Sequence, residues 1–136
     1  MKLIDTSILV PVFRDKTGSA RERFKRYMRG ADFVLTRYTQ IELLWGCRSE
    51  AQWDVFADHL EGQEYLEARD ETWSSAALIY FELRRTGLTV TSILDCCIAQ
   101  VAIENKATLI HNDRDFDTIA RLRPLRTSRF DIQARE

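Results

Sequence analysis

Cysteine, histidine and long apolar runs are what this 136-residue chain has least of, and each shortage excludes something. Of the three cysteines, Cys96 and Cys97 are adjacent and cannot bridge each other without strain, and Cys47 lies far away, so no disulfide framework is expected. With only His59 and His111 beside them, no C-x-x-C or H-x-x-x-H spacing occurs, which argues against a structural zinc site. No uncharged apolar stretch approaches the roughly 20 residues that span a bilayer. Met1-Lys2-Leu3-Ile4 runs straight into Asp5, without the sustained apolar region or small-residue cleavage site of a secretory signal. A cytoplasmic protein is the expectation. Internal repeats and low-complexity segments are missing too.

What is present reads as one globular domain over residues 1–136, with 45% hydrophobic and 30% charged residues. The net charge of −1 says little about partners, but its distribution says more. Residues 14–29 carry seven basic side chains against Asp15 and Glu22, and residues 121–136 carry five arginines against Asp131 and Glu136. Between them, residues 50–71 carry eight acids against Arg69. Such segregation fits a charged partner, and it fits solvated helix faces equally well.

Apolar periodicity divides the chain into alternating strands and helices. Leu3-Ile4 reads as a strand ending at Asp5-Thr6-Ser7, where a helix through Val12 and Phe13 begins. Ser19 and Glu22 form a capping-box pattern for a second helix, with Ala20, Phe24, Tyr27 and Met28 on one face, Arg21, Lys25 and Arg29 on another, and Gly30 at its close. Phe33 to Thr36 predicts a second strand, and Thr39 with Glu42 a further capping box opening a helix. Helical spacing resumes around Trp53, Phe56 and Leu60, a third strand is predicted over 64–68, and a long helix over 71–85 closed by Gly87. Ser92 and Asp95 mark the next helix, 108–111 a fourth strand ending in His111, Asp115 to Ala120 a short helix, and 125–127 a fifth strand. Alternation of this kind predicts a parallel sheet with helices on both faces.

In such sheets functional groups collect beyond the carboxyl ends of the strands. Acids stand at four of these junctions: Asp5, Glu42, Asp95, and Asp113 with Asp115. Carboxylates converging on one cleft repel one another unless a cation is present, and oxygen ligands alone suit Mg²⁺ or Mn²⁺. An ion so held can activate water and stabilise a phosphate oxyanion, so phosphodiester hydrolysis is chemically open. The plainer alternative is that each acid caps a helix, a job all five could hold.

The strings themselves carry a resemblance. Ile4-Asp5-Thr6-Ser7-Ile8-Leu9, Thr39-Gln40-Ile41-Glu42-Leu43-Leu44-Trp45-Gly46, Ile93-Leu94-Asp95-Cys96-Cys97-Ile98-Ala99 and Leu109-Ile110-His111-Asn112-Asp113-Arg114-Asp115-Phe116 resemble, in order, the four acidic motifs of PIN domains. Arg84-Arg85-Thr86-Gly87 sits where VapC-type members carry an arginine-and-glycine helix end. The chain is therefore identified, by resemblance, as a member of the VapC branch of the PIN family. The resemblance implies a three-layer α/β/α domain with a central parallel sheet of about five strands. It further implies a metal-dependent endoribonuclease toxin, with Asp5, Glu42, Asp95 and Asp113 as the Mg²⁺- or Mn²⁺-binding catalytic set and Asp115 as an additional acid. Thr6 and Ser7 would support the carboxylates or the ion's waters. A VapB-type antitoxin and a second toxin copy are the implied partners, in a heterotetramer or larger assembly, with contact expected at apolar positions of the second and third helices.

Arg21, Lys25 and Arg29 are then candidate RNA phosphate contacts, and the acidic stretch 50–71 a candidate partner surface. Phe24, Tyr27, Trp45 and Trp53 are read as core or interface, and His111 as the last residue of its strand despite its invitation to acid–base work. Two other classes fit less well. A phosphotransfer receiver needs a paired acid early in the chain and a phospho-acceptor aspartate near its middle, and a haloacid-dehalogenase-type phosphatase needs Asp-x-Asp where Asp5-Thr6-Ser7 stands. A PIN-like module that binds RNA or protein without cutting is the remaining alternative.

Overall fold

The computed structural model describes residues 1–133, so Arg135 and Glu136 of the basic C-terminal stretch lie outside the described residues. Among the described residues five strands are interspersed with seven helices: β1 (Lys2–Ile4), α1 (Thr6–Arg14), α2 (Ser19–Met28), β2 (Leu35–Thr36), α3 (Arg37–Trp45), α4 (Glu50–Leu60), β3 (Tyr65–Leu66), α5 (Thr72–Arg85), α6 (Ile93–Glu104), β4 (Thr108–His111), α7 (Arg114–Ala120) and β5 (Arg126–Arg129). Every pairing is parallel. A bridge between Leu3 and Val34 joins the β1-β4-β5 and β2-β3 ladders into one surface of order β3-β2-β1-β4-β5.

Strand periodicity of two sorts the core into two halves. Leu3 and its partner Leu109 face a cluster with Ala76, Ile79 and Leu83 of α5, Ile98 and Ala102 of α6, and Phe116 and Ile119 of α7. Ile4 and its partner Ile110 face the opposite cluster, with Ile8, Leu9 and Val12 of α1, Phe24 and Met28 of α2, Leu43 of α3 and Phe56 of α4. Both faces of the central strands are thus covered, which is why Leu3-Ile4 of β1 and Leu109-Ile110 of β4 are apolar at consecutive positions. This is the expected three-layer α/β/α arrangement.

Strand order reverses at β1. The chain steps from β1 to β2 and β3 on one side, then returns through β4 and β5 on the other. The crevice past the ends of β1 and β4 is therefore the switch point of the sheet, the usual place for a site in open parallel sheets.

Several predicted boundaries move. The second and third strands shrink to two residues each, since β3 is an edge strand paired on one side alone. The fifth shifts from 125–127 to Arg126–Arg129, a polar edge strand held by its backbone bonds to β4 rather than by apolar burial. The Ser19–Glu22 box does not form: Asp15 receives the Ala20 N–H at 2.5 Å and the Thr17 N–H at 2.9 Å, and Ser19 is already helical. Nor does the box at Thr39. Thr36 caps α3 by accepting the Thr39 N–H at 3.2 Å, which leaves Glu42 in mid-helix with no capping duty. Helix α2 turns off at Arg29, one residue before Gly30, in a left-handed conformation with φ 52°. At the end of α5 the Leu88 N–H reaches the Leu83 carbonyl and Gly87 takes φ 77°, the glycine-closed helix end expected there.

The three cysteines are free, with Cys96 and Cys97 buried in packing. Of the four aromatics read as core or interface, Phe24 is buried and Tyr27 is half-buried, stacking on Phe130. Trp45, 84% exposed, and Trp53 are not core. No helix among the described residues is long and apolar enough to cross a membrane.

Candidate metal centre

Four separate elements deliver acids to the crevice. Asp5 is the N-cap of α1, and its backbone N–H is bonded to the Ile110 carbonyl of β4. Its Oδ2 accepts from both the Ser7 amide at 3.0 Å and the Ser7 hydroxyl at 2.6 Å. The same Ser7 Oγ accepts the Asn112 N–H at 2.8 Å. One hydroxyl therefore ties the exit of β1 to the exit of β4 and fixes where Asp113 begins. Thr6 supports Asp5 through its backbone alone.

Asp113 caps α7 by accepting the Asp115 N–H at 2.9 Å, while its own N–H donates to His111 Nδ1 at 3.1 Å. His111, the last residue of β4 as expected, is fully buried. Burial pushes its pKa down, and an Nδ1 that accepts a hydrogen bond belongs to the neutral ring. Its role here is to orient the Asp113 loop, a task the periodicity of the strand did not disclose.

Asp95 lies in the first turn of α6, and Asp115 in the first turn of α7, both buried. Ligand-capable oxygens of Asp95, Asp113 and Asp115 all lie within 4.8 Å of one another. Asp115 Oδ2 also accepts the Thr91 N–H at 2.9 Å. Asp115 lies beside Asp95 and adds to the crowding of negative charge that raises the Asp95 carboxyl.

The electrostatics join Asp5 and Glu42 to this group. Burial, then Asp113 and Asp5, push the Asp95 carboxyl up to about 8. Burial, then Asp5 and Asp113, push Glu42 up to about 7. Burial raises Asp5 as well, with Ser7 opposing. Glu42 Oε1 is buried with no hydrogen-bond partner among the described residues. An orphaned carboxylate oxygen that feels two other acids, Asp5 and Asp113, is costly unless a cation completes it. The donor set is all oxygen, which fits a hard divalent ion such as Mg²⁺ or Mn²⁺.

All five predicted acids thus gather in one crevice, as does Ser7. The predicted basic trio does not share their environment: Arg21 and Lys25 on α2 and Arg29 at its C-cap are exposed, with Lys25 3.8 Å from Glu22. A different cation stands closer. Arg129, at the end of β5, is paired in register with His111 and bonded to Asp117 at 3.0 Å.

Comparison with known proteins agrees with this architecture. The PIN domain family model matches residues 2–122. The VapC ribonuclease Mb1587 of Mycobacterium bovis and ribonuclease VapC11 of Mycobacterium tuberculosis are each 35% identical over 133 residues, covering 96% of this chain and 99% of the relative. Among solved structures, VapBC2 from Rickettsia felis bound to a promoter DNA fragment superposes with a TM-score of 0.73 at 19% identity, covering 96% of this chain and 98% of that one. FitAcB from Neisseria gonorrhoeae gives 0.72 at 19% identity, covering 97% and 98%. A parallel sheet with acids at its switch point, a family match along most of the chain and close relatives of equal length lead to one assignment: the chain belongs to the PIN-domain family, in its VapC branch.

Proposed function

We propose that this protein is a metal-dependent endoribonuclease toxin of a VapBC-type module, a single PIN domain that hydrolyses RNA phosphodiester bonds. The observation that carries the reading is the convergence of Asp5, Glu42, Asp95 and Asp113 from four elements onto one crevice, with Glu42 Oε1 buried and unpartnered. These four acids, with Asp115 as a fifth, would hold Mg²⁺ or Mn²⁺. A divalent ion bound there supplies an activated water and charge stabilisation at the phosphate.

The chain's own residues do the rest. Ser7 fixes the Asp5 carboxylate and the Asn112 backbone in one geometry, so two strand exits present their acids together. His111 holds the Asp113 amide from below. Glu42, whose Oε1 has no protein partner, would help to hold the ion, and Glu42 or Asp95 would take a proton from the attacking water, whose oxygen forms the new P–O bond as the bond to the leaving oxygen breaks.

The relatives' VapBC assemblies support a VapB-type antitoxin as partner. Exposed Ile41 and Trp45 on α3, beside Glu42, supply apolar surface for such an antitoxin or for a second toxin copy.

Purified protein incubated with total RNA and Mn²⁺ or Mg²⁺, beside the Asp5→Ala/Asp95→Ala variant, tests the activity. Metal-dependent new RNA ends made by the parent alone are the expected result. Absence of cleavage by the antitoxin-free parent with metal supplied would leave the module that binds without cutting.

A further inference from the structure

Every side chain placed in the crevice so far is acidic or neutral, while the substrate under the proposed function is a polyanion. Even with an ion bound, the phosphates flanking the cut bond need a cation of their own to hold them near five carboxylates. The trio on α2 offers charge, but no described hydrogen bond or ion pair ties Arg21, Lys25 or Arg29 to the crevice.

We propose that Arg129 is the phosphate-positioning residue of this site, holding an RNA phosphate adjacent to the one that is cut. The inference rests on the ribonuclease reading above. Its first support is register: Arg129 pairs with His111, so it leaves β5 at the same sheet edge where β4 releases Asn112 and Asp113. Neighbouring strands lie about 4.8 Å apart, which puts Arg129 one strand beyond the acids rather than among them.

Its second support is how the guanidinium is held. Nη1 donates to Asp117 Oδ2 at 3.0 Å, and Nε lies 3.5 Å from Asn112 Oδ1. Asn112 in turn is bonded through its N–H to Ser7 Oγ, which donates to Asp5. A chain of contacts thus runs from the cation at the rim to the first carboxylate of the cluster. Asp117 belongs to α7, the helix that Asp113 caps, so both anchors of Arg129 move with the acidic loop.

Its third support is the capacity left over. A guanidinium has five N–H donors in a planar fork suited to phosphate oxygens, and these two contacts engage two of them. The side chain is 52% exposed, so the remaining donors face solvent where a backbone phosphate can reach them. A surface arginine held in place by two partners loses little conformational freedom when it meets its ligand.

The test compares steady-state cleavage of a single-stranded oligoribonucleotide by the parent, Arg129→Gln, Arg129→Lys, and an Arg21→Gln/Lys25→Gln/Arg29→Gln triple variant, across a salt series. Arg129→Gln should raise KM about three- to tenfold, with kcat nearly unchanged and melting temperature held. The salt dependence of log kcat/KM should become shallower by about 0.7, the loss of one phosphate contact on a single strand. Arg129→Lys should restore most of the slope, because the charge remains. Parent-like KM and slope in Arg129→Gln would overturn the assignment, as would the slope loss falling on the triple variant instead. Equal loss of kcat and melting temperature in both Arg129 variants would make the residue a structural pin, and also overturn it. A parent that cuts no RNA removes the ribonuclease reading itself, whereas a cutting parent with an indifferent Arg129 removes this assignment alone.

Discussion

Ser7 shows how much of the site one hydroxyl controls. It donates to Asp5 Oδ2 and accepts from the Asn112 N–H, so it serves two strand exits at once. Ser7→Ala should lower Mn²⁺ affinity about tenfold or more, measured by calorimetry, because groups that orient ligating carboxylates carry effects of that size. Glu42 and Asp95 set the response to pH. Their folded-state values of about 7 and about 8 lie above the ordinary 4.5 and 3.8, so the folded chain binds more protons than the unfolded one between those limits. The contribution of these two groups to the stability of the metal-free protein is then fully present below about pH 4 and is lost as pH rises through about 8. Metal binding competes with those protons and should tighten over the same range. Thermal melts in chelator and in Mn²⁺, at acid and mildly alkaline pH, should diverge as pH rises. A metal-free protein that gains stability with pH would contradict this account. Asp95→Asn, which relieves the repulsion, should raise the metal-free melting temperature at alkaline pH by about 2–4 °C while abolishing cleavage.

At the scale of elements, the site depends on helix starts. Asp5, Asp95, Asp113 and Asp115 all lie at the cap or in the first turn of a helix, where backbone N–H groups favour negative charge. Glu42 is the exception, and α3 places it from a distance. Thr36 at the end of β2 caps that helix and so sets its start relative to the sheet. Thr36→Val should cost about 1 kcal/mol in urea unfolding. It should also reduce cleavage, with Glu42 itself intact; full activity at reduced stability would mean that α3 is positioned by packing instead. The capping boxes read from the sequence at Ser19 and Thr39 failed for one reason. Asp15 and Thr36 reach the free N–H groups first, and a box pattern cannot reveal a nearer competitor upstream.

For the whole molecule, the uneven charge distribution becomes an arrangement of surfaces. The acidic stretch 50–71 forms α4, β3 and their turns, with Glu61, Glu64 and Glu67 exposed and Glu67 paired to Arg37 at 3.1 Å. Replacing those three by lysine should weaken antitoxin binding about tenfold, most at low salt, in a titration of the two purified proteins. Unchanged affinity and self-association would exclude this face as a partner surface.

The sequence by itself determined the layers of the fold and the identity of the acids. Strand centres buried on both faces are apolar at consecutive positions, as Leu3-Ile4 and Leu109-Ile110 are, and Asp5 and Asp113 are legible as acids just past those strands. Tertiary structure alone decided which alternative each acid fulfils. Whether Glu42 caps a helix or leaves a buried oxygen unpartnered depends on where α3 starts, a contest between Thr36 and Thr39 that spacing cannot judge. The same holds for His111 under Asp113, for Ser7 between two strands, and for Arg129 on a polar edge strand. Each role depends on which strand lies beside which, and register is a property of pairing between segments distant in the chain, not of any one of them.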